Sequence, residues 1–218
     1  SHKFAVETEN AFVNCFNIKR YVFSENDNNK LFVLSNGIIY RVGYIGDGEN
    51  AGKILSQNKE LHAVPTGLSE ITIDSDTKII GTSCMRGCNS LKNVVIPEGV
   101  TTIKGTIFTV SKPGSSTASY VEKVTLPKTL TSLEGYAFDW CVMLKNIIVP
   151  ENITEINHGV FRRCESLERV TLLGNITKIE RFAFNNCVKL GEIILMAKQA
   201  PVLGYDNSFG AYDYHPFN

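Results

Sequence analysis

Neither sign of charge is in excess here: 22 Lys and Arg are balanced by 22 Asp and Glu across 218 residues. That balance gives no electrostatic basis for binding nucleic acid or an anionic membrane. No run reaches the ~18 apolar residues of a membrane-spanning helix. Histidine is scarce, and His2, His62, His158 and His215 share no motif with a Ser, Cys or carboxylate partner. His158 falls in a turn, where an exposed side chain is expected. Gly46-Asp-Gly48 has the glycines of a phosphate loop but no helix pattern after it. These absences exclude a recognisable catalytic or cofactor-binding centre, so no enzyme activity, cofactor or metal is expected. The chain opens Ser-His-Lys, without an initiator Met or a signal-peptide pattern, and reads as a trimmed mature segment.

What the chain has is a period. Leu144, Leu167 and Leu190 open successive units of 23 residues, Val121 opens the one before, and Leu68 and Leu91 open two earlier ones. Twenty residues after an opener stands a cysteine: Cys88, Cys141, Cys164 and Cys187. Cys15 keeps the same spacing before Ile18. A repeat of this length implies a solenoid, in which each coil buries its apolar face on the next. Solenoids present surfaces, so binding is the default expectation.

Within a unit, apolar residues alternate. The opener and the residues three and five further on point inward: Ile147 and Val149, Val124 and Leu126, Val170 and Leu172, Val94 and Ile96, Ile193 and Leu195. This period of two marks a half-buried strand. Pro97, Pro127 and Pro150 end it at one shared offset, since proline donates nothing to a ladder. A second apolar pair follows, as in Ile153/Ile156, and then a small-plus-aromatic step, as in Ala137-Phe138 and Ala183-Phe184. The pattern predicts one strand, a turn, a second extended stretch, and a short helical or 3₁₀ turn that drops Phe and Cys into the core. The cysteines then form a ladder of small buried thiols. Disulfides and a metal site are the lesser alternatives. Zinc needs close pairs, and Cys84 with Cys88 is the only near pair, with no His beside it.

The units from Leu144 and from Leu167 closely resemble the bacterial surface leucine-rich repeat of the BspA type. The run Val124-Thr-Leu-Pro127, then Leu130 and Leu133, then Ala137-Phe138 and Cys141 carries the resemblance. It implies a right-handed, β-rich leucine-rich-repeat solenoid with parallel strands on one face. Asn36-Gly37 reads as a type I′ hairpin turn, and with Leu61-His-Ala-Val-Pro65 resembles the β-hairpin insert of such proteins. The expected organisation is one continuous domain: an irregular part over 1–67, repeats over 68–195 and a C-terminal cap over 196–218. The unit from Leu91 is seven residues too long, and Cys84-Met85 stands where Ala-Phe is expected. Gly43, Gly46, Gly48 and Gly52 mark loops.

The resemblance implies a cell-surface or secreted binding or adhesion module whose partner is a protein or glycan, host matrix proteins included. The alternative is a structural spacer within a larger surface protein. On the first strand, side chains two and four after each opener point outward. They form a candidate face of two columns, Asn93, Lys123, Asn146, Arg169, Glu192 and Val95, Thr125, Ile148, Thr171, Ile194. Two further candidates are the 109–120 loop and the aromatic tail Tyr205, Phe209, Tyr212, Tyr214, Phe217, the latter read first as a cap. Asn152-Ile-Thr154 and Asn175-Ile-Thr177 spell glycosylation acceptors but occupy one repeat position twice, so a repeat role is expected.

Overall fold

A computed structural model describes residues 17–22, 32–44, 54–108 and 119–204. Cys15, His2, His215, Gly46, Gly48, Gly52, the 109–118 part of the long loop and the aromatic tail lie outside the described residues.

The N-terminal part is a meander of β1 (Phe32–Ser35), β2 (Ile38–Tyr44) and β3 (Ile54–Ala63), each antiparallel to the next. Asn36 and Gly37 join the first two at φ of 51° and 75°, the type I′ geometry their sequence predicts. Gly43, expected in a loop, instead lies within β2, where the register with β3 shifts. Glycine at a strand irregularity is the usual alternative to a loop.

Six coils follow. First strands are β5 (Asn93–Val95), β7 (Lys123–Thr125), β9 (Asn146–Val149), β11 (Arg169–Leu172) and β13 (Glu192–Leu195). Second strands are β4 (Ile79–Ile80), β6 (Thr102–Ile103), β8 (Ser132–Leu133), β10 (Glu155–Ile156), β12 (Lys178–Ile179) and β14 (Val202–Leu203). All pairs between coils are parallel and in register. The meander joins the stack through β3, which pairs parallel with β4. Buried Lys59 pins it there. Its ammonium reaches Asp74 at 2.6 Å and Asp76 at 2.7 Å and sits 4.5 Å over the Tyr40 ring.

Each coil turns back through bonds three residues apart. Ala137 N donates to Glu134 O, Asp139 N to Tyr136 O and Cys141 N to Phe138 O. These are 3₁₀-type bonds, yet no helix grows from them among the described residues. Left-handed residues interrupt the run at two fixed offsets: Tyr136 and Trp140 in one coil, Gly159 and Arg163 in the next, Phe182 and Asn186 after that. For a non-glycine residue that conformation costs about 1–2 kcal/mol, so packing in the stack must hold it. Gly159 fills its offset for a second reason, since a Cβ there would lie 2.6 Å from the Tyr136 ring.

The core is a set of columns. Phe108, Phe138, Phe161 and Phe184 stack at 6.3, 5.7 and 5.5 Å between centroids, the last two steps within 10° of coplanar. Cys84 and Met85 are both buried in place of Ala and Phe. Cys88, Cys141 and Cys164 are buried and Cys187 half-buried, with no disulfide among the five described cysteines. The thiols are not merely small. Cys164 Sγ donates to Phe138 O at 3.2 Å and Cys187 Sγ to Phe161 O at 3.0 Å, one coil back.

The last coil departs from the inward pattern. Ile193 is half-buried and Leu195 is 41% exposed, because no described coil stacks beyond them. Truncation of Phe161 to Ala removes the ring sandwiched between two others and is expected to cost about 3–5 kcal/mol. Denaturant unfolding of wild type and variant measures it, and a loss below about 1 kcal/mol would contradict the column.

Candidate binding face

The outward residues of the first strands stand as ladder neighbours. Asn93 is opposite Lys123, and Arg169 lies between Asn146 and Glu192. Val95 is opposite Thr125, and Thr171 lies between Ile148 and Ile194. Asn93, Val95, Lys123, Thr125, Asn146, Ile148, Arg169 and Glu192 are exposed, whereas Thr171 and Ile194 are half-buried. Val95 at 65% and Ile148 at 59% are large apolar side chains held in water. Arg169 Nε donates to Glu192 Oε2 across the ladder.

The face has a discontinuity that the repeat pattern does not announce. β7 bonds β5, and β9 bonds β11, but β7 and β9 are not paired with each other. The same junction separates β8 from β10 on the second-strand side. One missing bond has a plain cause: Leu173 N donates to Val149 O and Met196 N to Leu172 O, both at 3.0 Å, and Pro150 occupies that offset without an N–H. Side-chain amides span the gap instead. Asn157 Nδ2 donates to Leu133 O at 2.6 Å and Asn152 Nδ2 to Lys128 O at 2.8 Å. The turn edge holds the two coils together, through Tyr136 N to His158 O, Phe138 N to Val160 O and Trp140 N to Arg162 O, each 2.9 Å. On the first-strand side the opening is a cleft of about 530 Å³, floored by Ile148, Leu126, Pro150 and Leu173 and edged by Lys123, Lys128 and Lys145.

A family profile described as BspA type leucine-rich repeat region matches residues 62–119 and 114–204 in six copies. The chain belongs to the BspA-type leucine-rich repeat family. No match is found among curated proteins. Among solved structures, the chain is similar to a leucine-rich cell surface protein of Faecalibacterium prausnitzii, with 24% identity and a TM-score of 0.60 over 79% of this chain and 41% of that one. It is also similar to the pneumococcal vaccine antigen PcpA, with 20% identity and a TM-score of 0.62 over 85% and 42%. The chain therefore spans less than half the length of either. At these identities the likeness is one of fold.

Four buried cysteines of this BspA-type chain are held as thiols. Burial pushes the Cys88 thiol up to about 12 and raises Cys84, Cys141 and Cys164 as well, and the thiolate is the reactive form. The described residues contain no group of three His, Cys, Asp or Glu placed to hold a metal ion. No helix among them is long and apolar enough to cross a membrane. Asn152 bonds the preceding coil, and Asn175 Oδ1 accepts from Lys198 N at 3.1 Å, so the two acceptor-like motifs are cross-coil braces at one repeat position.

The turn edge carries a feature missed from the sequence. His158, expected in water, is half-buried, with edge-on contacts to Tyr136 at 5.0 Å and Phe182 at 5.3 Å. Arg181 Nε donates to its Nδ1 at 3.1 Å. Arg162 forms a bidentate pair with buried Asp139 at 2.9 and 2.7 Å and lies 5.0 Å over the Tyr136 ring. The signal was Tyr136, His158 and Phe182 at spacings near one repeat, a ring in each coil.

Burial first, then Arg181 and Arg162, hold the His158 imidazole below its ordinary 6.5, with Glu180 opposing. A folded value below the unfolded one means that the unfolded chain binds the extra proton. The stability from neutral His158 is thus present above 6.5 and lost as pH falls from there through the lower folded value. The difference in thermal midpoint between wild type and His158→Gln is expected to narrow between about pH 7.5 and pH 5. A difference independent of pH would contradict the packing described.

Proposed function

We propose that this chain is a non-enzymatic binding module, exposed at a bacterial surface, whose protein or glycan partner docks on the first-strand face. The observation that carries the reading is the double column of outward side chains held on two ladders, β5–β7 and β9–β11–β13, in which exposed Val95 and Ile148 stand among Lys123, Asn146, Arg169 and Glu192. Side chains fixed on paired strands lose little freedom when a partner arrives. The mixture of apolar and charged groups suits an interface, and Arg169 is the natural anchor, arginine being common among energetic hot spots. The surface location rests on the family and on the description of the Faecalibacterium relative as a cell surface protein. Adhesion to host matrix proteins or other cells is the role this suits.

A spacer within a larger surface protein is the second reading. It draws on the chain covering only 41% and 42% of the Faecalibacterium and pneumococcal structures.

A pull-down against matrix proteins together with a glycan array separates the two readings. A binder retains a partner, and a spacer retains none. With a partner in hand, Ile148→Asp and Arg169→Ala are each expected to weaken binding about tenfold or more while the circular dichroism spectrum is unchanged. Normal binding by both, with loss on deleting residues 111–118, would move the site to the long loop.

A further inference from the structure

We infer that the cleft between β7 and β9 receives an extended acidic peptide, with an apolar side chain seated between two carboxylates. This deepens the binding-face reading and rests on it.

The strand pairing localises the site. β9, β11 and β13 form a continuous sheet, as do β5 and β7, and the ladder is interrupted between them. The opening, about 530 Å³, is of the size that holds a few side chains of a ligand. Its floor is apolar and wet: Ile148 is 59% exposed and Leu173 44%. Two large aliphatic groups left in water at one opening gain from being covered.

Charge identifies what covers them. Lys123, Lys128 and Lys145 line the cleft, all exposed, and no ammonium group of the three forms an ion pair among the described residues, although the Lys128 backbone N–H donates to Glu98 Oε1 at 3.1 Å. Glu122 is the single acid in the lining, and Lys92 stands 3.9 Å from it. The chain as a whole is neutral, so a lining of three lysines, Lys123, Lys128 and Lys145, against Glu122 alone is a local departure from its balance. An acidic partner complements them.

The floor decides between peptide and carbohydrate. A sugar ring presents apolar surface as C–H faces, which rest best on aromatic rings, and no aromatic residue lines this cleft. Aliphatic floor and lysine edge fit a Leu or Ile side chain flanked by Asp or Glu. Asn146 at the margin offers an amide donor and acceptor to the peptide backbone.

The test uses the 218-residue chain and a fluorescein-labelled peptide, Gly-Ser-Asp-Leu-Asp-Leu-Asp-Ser-Gly, followed by fluorescence anisotropy. The peptide is expected to bind, and to bind more weakly as NaCl rises from about 50 to 500 mM. The Lys123→Glu plus Lys145→Glu variant is expected to lose about tenfold or more in affinity. It should instead take up the peptide with Lys in place of each Asp, a gain that a misfolded protein does not show. Lys189→Glu, exposed and remote from the cleft, leaves binding unchanged. Failure of the wild type to bind, or indifference to the double reversal, overturns the inference. So does a sulfated oligosaccharide that binds through the same lysines when the peptide does not, which makes the cleft a glycan site. If Arg169→Ala abolishes peptide binding and the lysine reversal leaves it intact, the face is right and the cleft wrong. Peptide binding indifferent to Arg169, Ile148 and the lysines alike removes both readings.

Discussion

A coil of 23 residues can neither bury its own apolar side chains nor pair its own backbone. Both needs are met by the neighbouring coil, and the whole molecule follows from that dependence. Paired strands satisfy N–H and C=O groups that would otherwise be buried without partners. Phe138, Phe161 and Phe184 stack because the pairing fixes the distance between coils. Even the thiols serve the same end, with Cys164 and Cys187 each turned to the carbonyl of a phenylalanine one coil back. The left-handed turn residues are tolerated for this reason too. Tyr136 and Trp140 hold unfavourable φ so that Phe138 and Cys141 between and beside them face inward.

A structure built from one contact type is sensitive wherever that contact is missing. At the junction between the coils opened by Val121 and Leu144, the strand ladders lapse on both sides and the turn edge alone carries backbone bonds in regular order. Asn152 and Asn157 reach across in place of main-chain donors. The stack remains one core, since Phe138 and Phe161 still lie parallel at 5.7 Å. What the lapse changes is the surface. One sheet becomes two, and the side chains Thr125 and Ile148, which regular pairing would set side by side, both line the cleft at the junction.

The periodic part of this architecture was legible because it is written in residue type. Cysteine, Phe and the alternating aliphatics mark fixed offsets, and the burial of Ile147, Val149, Phe161, Cys164 and Leu167 follows from them. The hairpin was legible for a local reason, that Asn36 and Gly37 both accept positive φ. The cleft was not. Pro150 shares its offset with Pro97 and Pro127, so nothing in the letters sets its junction apart. His158 was misjudged because its environment is supplied by Tyr136 and Phe182 from the coils on either side. The exposed edge of the last coil was misjudged for the converse reason: the inward pattern of Ile193 and Leu195 persists where no described coil covers it.

Amide hydrogen exchange followed by NMR tests the lapse of the ladder most directly, because the repeat supplies its own controls. Glu168 N donates to Lys145 O at 2.8 Å, Thr177 N to Thr154 O at 2.8 Å and Glu180 N to Ile156 O at 2.8 Å. The equivalent amides one coil earlier are Lys145, Thr154 and Asn157, for which the described residues provide no backbone acceptor across the junction. Lys145, Thr154 and Asn157 should therefore exchange faster than Glu168, Thr177 and Glu180, while Phe138 and Trp140 on the turn edge stay protected. Equal protection at the two sets of positions would mean that the ladder runs unbroken through the junction, and the cleft would not exist.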